Sequence, residues 1–507
     1  MMVAAENIPC GSLVLLESPA AYVPSYRNVG CGVPGYDYSL VEQSMLSAAF
    51  AATGEIFKGF AIILAARVIA ASQNSATMHE QIRHLCRNSF CADNTGTADI
   101  MASAQIVQRL LLGSSSQKEC SQERCLEVLE KLECNAFTAV DHDLSSITGI
   151  GLYTKAAAIN HSCQPNCCQT FNSSILSIRA TKKIMKGEEI TISYIDTGKS
   201  TWWRKNELFL SYGFSCSCPR CCTTDSSDSY ICQIPNCKGM LEIIEKDLFF
   251  SWINSTLVIV KEDKEGKIPR VRKIVKNRKF LSSLEIVVPH GDILFENYPD
   301  CLEVLSSELP APLSLVPLSI SPSMPSSSDF KYLTKEMKKE KKRRFQCSCC
   351  HHIIDHEAIM IKVLSIIKDL KDTNSKKKQG YNCQGQCDNC IHSLLQIVPS
   401  THPCVIELYR TYVLEDLILS NNFQSYVKTV RTSNYLSNIK NIYPRGHPFP
   451  AIQDVMYSKC LLQICQSQED MNEAHSSLHS AIKVLSITHG VDSKLIMDIK
   501  EILRGIE

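Results

Sequence analysis

The apolar positions along the chain change period several times, and those changes divide it into segments. From Ile8 to Val23 they alternate loosely around Gly11 and Pro19, which predicts a short strand, a turn and a second extended stretch. Gln43 to Ala71 is rich in Ala, Ile and Leu without proline, while Ala98 to Leu112 and Gln122 to Leu132 repeat apolar residues every three or four positions, so all three read as helix. Between Ile147 and Tyr194 the runs become short and β-branched, as in Ile175-Leu176-Ser177-Ile178 and Ile190-Thr191-Ile192-Ser193, with Lys186-Gly187 at a turn. From about Met240 to Phe345, strand-like stretches mix with a Pro/Ser-rich piece, Pro310 to Ser328, which reads as a linker, and a basic run, Lys335 to Arg344. Beyond Cys404 helical spacing returns: Ala474, Leu478, Ala481, Ile482 and Leu485 share one helix face, and Gly490 supplies a stop. No clear internal repeat is visible, although stacked helix pairs need not show one.

A chain of 507 residues exceeds one ordinary core, and at about 100 to 200 residues per domain it holds two to four units. With 53 basic against 52 acidic residues the formal charge is +1, so no direct nucleic-acid partner and no membrane partner is expected from the global balance. The most apolar early run, Gly59 to Ala66, is bounded by Lys58 and Arg67 and falls far short of the roughly 20 residues that a bilayer needs. Within the basic run, Glu336 and Glu340 sit four apart, which favours a solvated helical face over a nuclear-import patch. The opening segment lacks the basic and apolar regions of a secretory signal, so a reducing compartment, cytoplasm and/or nucleus, is expected. There the 26 cysteines read as metal ligands or free thiols rather than disulfides.

Cys216-Ser217-Cys218-Pro219-Arg220-Cys221 has C-x-C-x2-C spacing, tight enough to set three sulfurs about 2.3 Å from one zinc ion, with Cys163 as the candidate fourth ligand. The alternative is a set of buried thiols packing as small hydrophobes. A second, more dispersed set pairs Cys232 and Cys237 with Cys347 and Cys350; loop-closure entropy rises slowly enough with length to allow it. Cys349, His351 and His352 compete for those places. Cys383, Cys387 and Cys390, with His392 or Cys404, form a third candidate group.

Five pieces occur in order: Gly149-Ile150-Gly151-Leu152-Tyr153; Asn160-His161-Ser162-Cys163-Gln164-Pro165-Asn166; Gly187-Glu188-Glu189-Ile190-Thr191-Ile192-Ser193-Tyr194; Tyr212-Gly213-Phe214; and the three-cysteine knuckle. Each alone is weak, but together they resemble a SET domain with its post-SET zinc. The helical insert, Asn135-Ala136-Phe137 and the tail motif Ile442-Tyr443-Pro444-Arg445-Gly446-His447-Pro448 narrow the resemblance to the SMYD branch, the SET- and MYND-domain methyltransferases.

The resemblance implies an α+β protein: a SET-type β fold with a helical insert and post-SET zinc, followed by an all-α, tetratricopeptide-like C-terminal domain. The expected organisation is residues 1–25 as the N-terminal part of SET, 26–133 as the helical insert and 134–215 as the SET core. It continues with 216–240 as the post-SET zinc region, 241–346 as an insertion, 347–404 as a Cys-rich zinc-binding segment and 405–507 as the helical domain. The implied activity is S-adenosylmethionine-dependent N-methylation of lysine in a histone or other protein. By resemblance, Asn135, Asn160, His161, Tyr194 and Phe214 hold the cofactor, Tyr194 and Tyr212 are catalytic, and Phe137 lines the lysine channel beside Tyr212. For His161, a structural bond to backbone is the competing role.

Two departures bear on this. The family's glycine-containing G-x-G-L loop precedes the first strand, whereas this sequence opens at Met1-Met2-Val3, past that point; either the sequence is a piece of a longer chain or cofactor binding is weakened. Between Tyr26 and Ala71 only Cys31 is present, so a MYND finger, with its nucleic-acid and proline-rich-peptide binding, is not expected. The alternative functions are a catalytically silent SET scaffold that binds partner proteins and, less favoured, a zinc-dependent interaction protein. The sequence specifies no oligomeric state.

Overall fold

A computed structural model describes residues 2–25, 42, 56–87, 97–112, 120–144, 146–199, 201–223, 229–243, 248–253, 256–261, 270–275, 344–355, 359, 362, 365–366, 369, 384–414, 417–418 and 420–506. The Pro/Ser-rich piece, nearly all of the basic run, and residues 26–41 and 43–55, which include Cys31 and the first part of the expected helix from Gln43, lie outside these residues.

The opening alternation becomes β1 (Leu13–Glu17) and β2 (Ala21–Pro24). After the insert come β3 (Ala136–Val140), β4 (Ile147–Leu152), β5 (Asn160–His161), β6 (Cys167–Asn172), β7 (Ile175–Ala180) and β8 (Thr191–Ile192). They form two antiparallel sheets, β2-β4-β3 and β1-β7-β6, and one short parallel pair, β5-β8. Inward-facing Ile159, Leu176, Ile178, Ile184 and Ile192 close a common core with Tyr22 and Tyr153. Of the run Ile190–Ser193 only β8 is strand, paired with a β5 that is itself two residues long.

Among its described residues the insert is helical: α1 (Ile56–Gln73), α2 (Ala76–Arg83), α3 (Thr97–Leu112) and α4 (Gln122–Asn135), of which the spacing indicated α1, α3 and α4. Serine caps set two of its starts, Ser75 accepting from the Met78 N–H and Ser121 from the Arg124 N–H. The apolar run in α1 is core: Phe60, Ile63, Leu64, Val68 and Ile69 are buried against α3, α4 and β2. A helix that is apolar around most of its circumference is a central one, which accounts for the lack of a polar face here. Among the described residues, no helix is long and apolar enough to cross a membrane.

Beyond β8 lie α5 (Thr201–Tyr212), the single turn α6 (Pro219–Cys222), β9 (Tyr230–Ile231), β10 (Met240–Ile243), a separate three-stranded meander of β11 (Leu248–Ile253), β12 (Thr256–Lys261) and β13 (Arg270–Val275), and β14 (Arg344–Cys347) with β15 (Ile353–Asp355). The tail is helical among the described residues: α7 (Gln384–Leu395), α8 (Pro403–Leu408), a π-helical stretch over Tyr409–Leu414, α9 (Phe423–Thr432), α10 (Tyr435–Ile442), α11 (Pro448–Ile464), α12 (Gln468–His489) and α13 (Lys494–Ile506). On α12, Ala474, Leu478, Ala481 and Leu485 are fully buried and Ile482 partly so, and Gly490 ends the helix at φ +90°. That glycine also lets the Arg179 guanidinium of β7 approach, since a Cβ there would meet its Nη2 at 2.8 Å.

The tail also meets the SET strands at named bonds. Thr170 Oγ1 donates to the Thr488 carbonyl at 3.4 Å, and Arg220 spans Thr197 O and Ile442 O at 2.7 Å each.

Burial holds the His402 imidazole, 2% exposed, down to about 4. An unfolded histidine titrates near ~6.5, so the unfolded chain binds the extra proton between those values, and this contribution is complete above pH 6.5 and lost as pH falls toward 4. From pH 7 to 5, His402 is expected to cost about 2 kcal/mol of stability. Urea midpoints of wild type and His402→Gln should converge on acidification; parallel pH slopes would exclude this titration.

Candidate methyl-transfer site and metal clusters

The centre of the site is built where β5 and β8 run side by side, pairing Asn160 with Thr191 and His161 with Ile192. That register delivers Tyr194 two residues beyond β8, where its backbone N–H donates to His161 Nδ1 at 3.0 Å. The Tyr194 hydroxyl donates to the Ile159 carbonyl at 2.5 Å, and the Tyr212 hydroxyl, from the end of α5, donates to the Tyr194 carbonyl at 3.2 Å. The two phenol rings are 4.9 Å apart between centroids, and Phe214 stands edge-on to Tyr194 at 6.4 Å and 6.1 Å from His161. Burial pushes both phenols above their ordinary value, so they stay protonated at neutral pH. The result is a half-buried aromatic wall edged by neutral hydroxyls and backbone carbonyls.

His161 has the structural role that competed with cofactor contact. With Nδ1 accepting from Tyr194, its other nitrogen carries the proton and faces the Cys163 sulfur at 3.2 Å. The ring thus links the strand bearing Tyr194 to the first thiol cluster. Asn160 is exposed and its amide donates to Glu189 at 2.7 Å. Asn135, 5% exposed, donates to the carbonyls of Lys131 and Cys86 at 2.6 and 2.8 Å, which ties the end of α4 to the segment after α2. Phe137 lies edge-on to Tyr153 at 5.7 Å.

Sequence reasoning missed the Ile159 carbonyl, because a backbone acceptor carries no residue signature. It also left Asn166 without a role. Its side chain accepts from the Thr191 N–H at 2.8 Å and donates to the Glu189 carbonyl at 2.8 Å, holding the turn that leads into Tyr194. An asparagine six residues beyond Asn160 in a tight motif was the available signal. Gly149 has an equally local reason: a Cβ there would collide with the Tyr22 ring.

Cys163, Cys216, Cys218 and Cys221 bring four sulfurs within 4.8 Å of one another. Cys163 lies 4.0 Å from Cys216 and 3.4 Å from Cys221. Four sulfurs about 2.3 Å from a central zinc would be about 3.8 Å apart, so this set could hold one ion. Cys232, Cys237, Cys347 and Cys350 make a second group within the same limit. Cys349, His351 and His352 are exposed and outside it. Of the third candidate group, Cys383 and the side chains of Cys387 and Cys404 lie outside the described residues; Cys390 is half-buried and His392 exposed.

Residues 1–195, which include the parallel strand pair, Tyr194 and Cys163, match the SET domain family. The chain carries a SET domain. That domain is SMYD-like: the mouse histone-lysine N-methyltransferase SMYD3 is 40% identical over 99 residues, 20% of this chain and 23% of the relative. Histone-lysine N-methyltransferase ASHR1 of Arabidopsis thaliana is 37% identical over 124 residues, covering 23% of this chain and 26% of its own. Human N-lysine methyltransferase SMYD2 is 37% identical over 101 residues, 20% of this chain and 23% of its own. The chain spans about a quarter of the length of these relatives.

Proposed function

We propose that this SET protein is a protein-lysine N-methyltransferase that uses S-adenosylmethionine and carries a structural zinc at Cys163, Cys216, Cys218 and Cys221. The observation that carries the reading is the convergence of Tyr194, Tyr212, Phe214 and the Ile159 carbonyl on one half-buried wall. The donor set suits the cofactor: rings, neutral hydroxyls and carbonyls favour a sulfonium cation by cation–π and dipole interactions. Bound there, S-adenosylmethionine supplies an electrophilic methyl group.

The remaining work falls to the chain. A lysine amine near ~10.4 in water must shed its proton, and a dry aromatic channel favours its neutral form. Tyr194 and Tyr212 orient that amine by hydrogen bonds without offering a competing nucleophile, because both phenols remain protonated. Asn135, Asn160, His161 and Phe214 would bound the cofactor, with His161 acting through the backbone it fixes. The protein substrate would enter between the SET strands and the tail, whose consecutive helix pairs support the tetratricopeptide-like reading.

Calorimetric titration of the zinc-loaded chain with S-adenosylmethionine, followed by transfer of labelled methyl to histones and lysine peptides, tests the proposal. Saturable binding with label on lysine is the expected result. Absence of binding by this chain and by a version extended upstream would leave the catalytically silent scaffold.

A further inference from the structure

Away from the methyl-transfer wall, the sheet of order β15-β14-β10-β9 carries four thiols to one end. Cys232 and Cys237 lie on the connection between β9 and β10, while Cys347 closes β14 and Cys350 follows it in the turn to β15. The register places Leu241 opposite Cys347 and Ile243 opposite Phe345, so the chain that leaves the sheet after residue 243 returns on the neighbouring strand. Two knuckles far apart in sequence are thereby set face to face.

Three features distinguish this group from thiols packed as apolar filler. The Cys237 and Cys347 sulfurs are 3.5 Å apart and those of Cys232 and Cys350 3.7 Å, close to the edge of about 3.8 Å expected of a zinc tetrathiolate. Backbone N–H groups point at the sulfurs: Gly239 donates to Cys237 Sγ at 3.4 Å, and Cys349 and Cys350 donate to Cys347 Sγ at 3.3 and 3.5 Å. Amide donors converging on sulfur stabilise a thiolate. Finally, the backbone is shaped to the group. Asn236 and His351 take left-handed φ of 65° and 55°, and a Cβ at Gly239 would collide with the Cys347 sulfur.

We propose that Cys232, Cys237, Cys347 and Cys350 form a second, purely structural zinc site that joins the two ends of residues 244–343 and seats the helical tail on the post-SET region. On binding, the four thiols release their protons to solvent and donate four Zn–S bonds. All four positions are then filled by protein, which leaves no site for water or substrate. The seating is visible next to the thiols. Ile231 N–H donates to the Ile397 carbonyl at 2.8 Å, Gln233 Nε2 to the Gln396 carbonyl at 3.1 Å, and the Tyr230 ring packs on Phe345 and His402 at 5.2 and 5.8 Å. Tyr230, Leu241, Phe345 and Cys347 share one buried cluster with Leu394 and Val398.

The test is zinc stoichiometry of the full chain by elemental analysis, compared with the double variant Cys347→Ser/Cys350→Ser and with Cys349→Ser, the exposed neighbour. The double variant is expected to hold one zinc fewer per chain than wild type, Cys349→Ser to hold the same number, and residues 384–414 to be cleaved faster by protease in the double variant alone. A zinc content that does not fall in the double variant overturns the site, whatever the total. Unchanged cleavage with one zinc lost overturns the seating of the tail. Should the double variant not fold, top-down fragmentation of the zinc-bound wild type by native mass spectrometry decides: zinc retained on Cys232, Cys237, Cys347 and Cys350 supports the proposal, and zinc absent from them refutes it. Because the readout is metal and not methyl transfer, the result stands apart from the catalytic reading.

Discussion

Replacing Tyr194 by phenylalanine should lower methyl transfer by about 10²–10³-fold, the usual loss when one preorganised donor is removed from a dry site. The hydroxyl is the only atom lost, and it spends its proton on the Ile159 carbonyl at 2.5 Å. That bond fixes the hydroxyl and orients a carbonyl at the place where the sulfonium methyl and the amine would meet. The ring itself keeps its contacts with Tyr212 and Phe214, and the backbone bond to His161 does not involve the hydroxyl. Zinc content and thermal midpoint should therefore stay near wild type while the turnover number falls. Single-turnover measurements on a lysine peptide would check this; a rate within twofold of wild type would remove Tyr194 from the chemistry.

Losing the first thiol cluster should be more damaging, and in a different way. Changing Cys216 and Cys221 together to serine is expected to release one zinc per chain, to reduce transfer by at least about 100-fold and to weaken S-adenosylmethionine binding, since structural zinc sites contribute about 10–16 kcal/mol to local folding. Cys216 follows Phe214 by two residues and Cys163 follows His161 by two, so one ion would clamp both segments that carry the aromatic wall. The sulfur of Cys163 also receives the His161 N–H at 3.2 Å, which extends the clamp to the backbone of Tyr194. Elemental analysis and calorimetry on the same sample separate this outcome from that of Tyr194→Phe, where metal and cofactor affinity are retained. Full cofactor affinity in a chain lacking this zinc would show that the wall stands without it.

Much of the architecture was written in local spacing. The strand β1 between Gly11 and Pro19, the strand at Ile175, and the α12 face from Ala474 to Leu485 with its stop at Gly490 need only neighbours along the chain, because period and capping act within a few residues. The helix α2 was not anticipated, since Ala76–Arg83 is short and has just one buried residue, Ile82. The apolar run in α1 was legible as helix but not as the centre of the insert, a property conferred by the helices packed around it.

The sequence by itself determined the order of the SET motifs, the short-range thiol spacing from Cys216 to Cys221, and the presence of Tyr194 and Tyr212 as candidates for the chemistry. These are properties of residue type and separation, and a short segment has few ways to arrange them. Only the tertiary structure decided that Asn135 ties α4 to the segment after α2, that His161 reads the backbone of Tyr194, and that Cys350 rather than Cys349, His351 or His352 joins Cys232, Cys237 and Cys347. Those choices depend on which strands share a register and which side chains the core excludes. They are settled by burial and backbone hydrogen bonding between segments far apart in the chain, where spacing along the sequence carries no information.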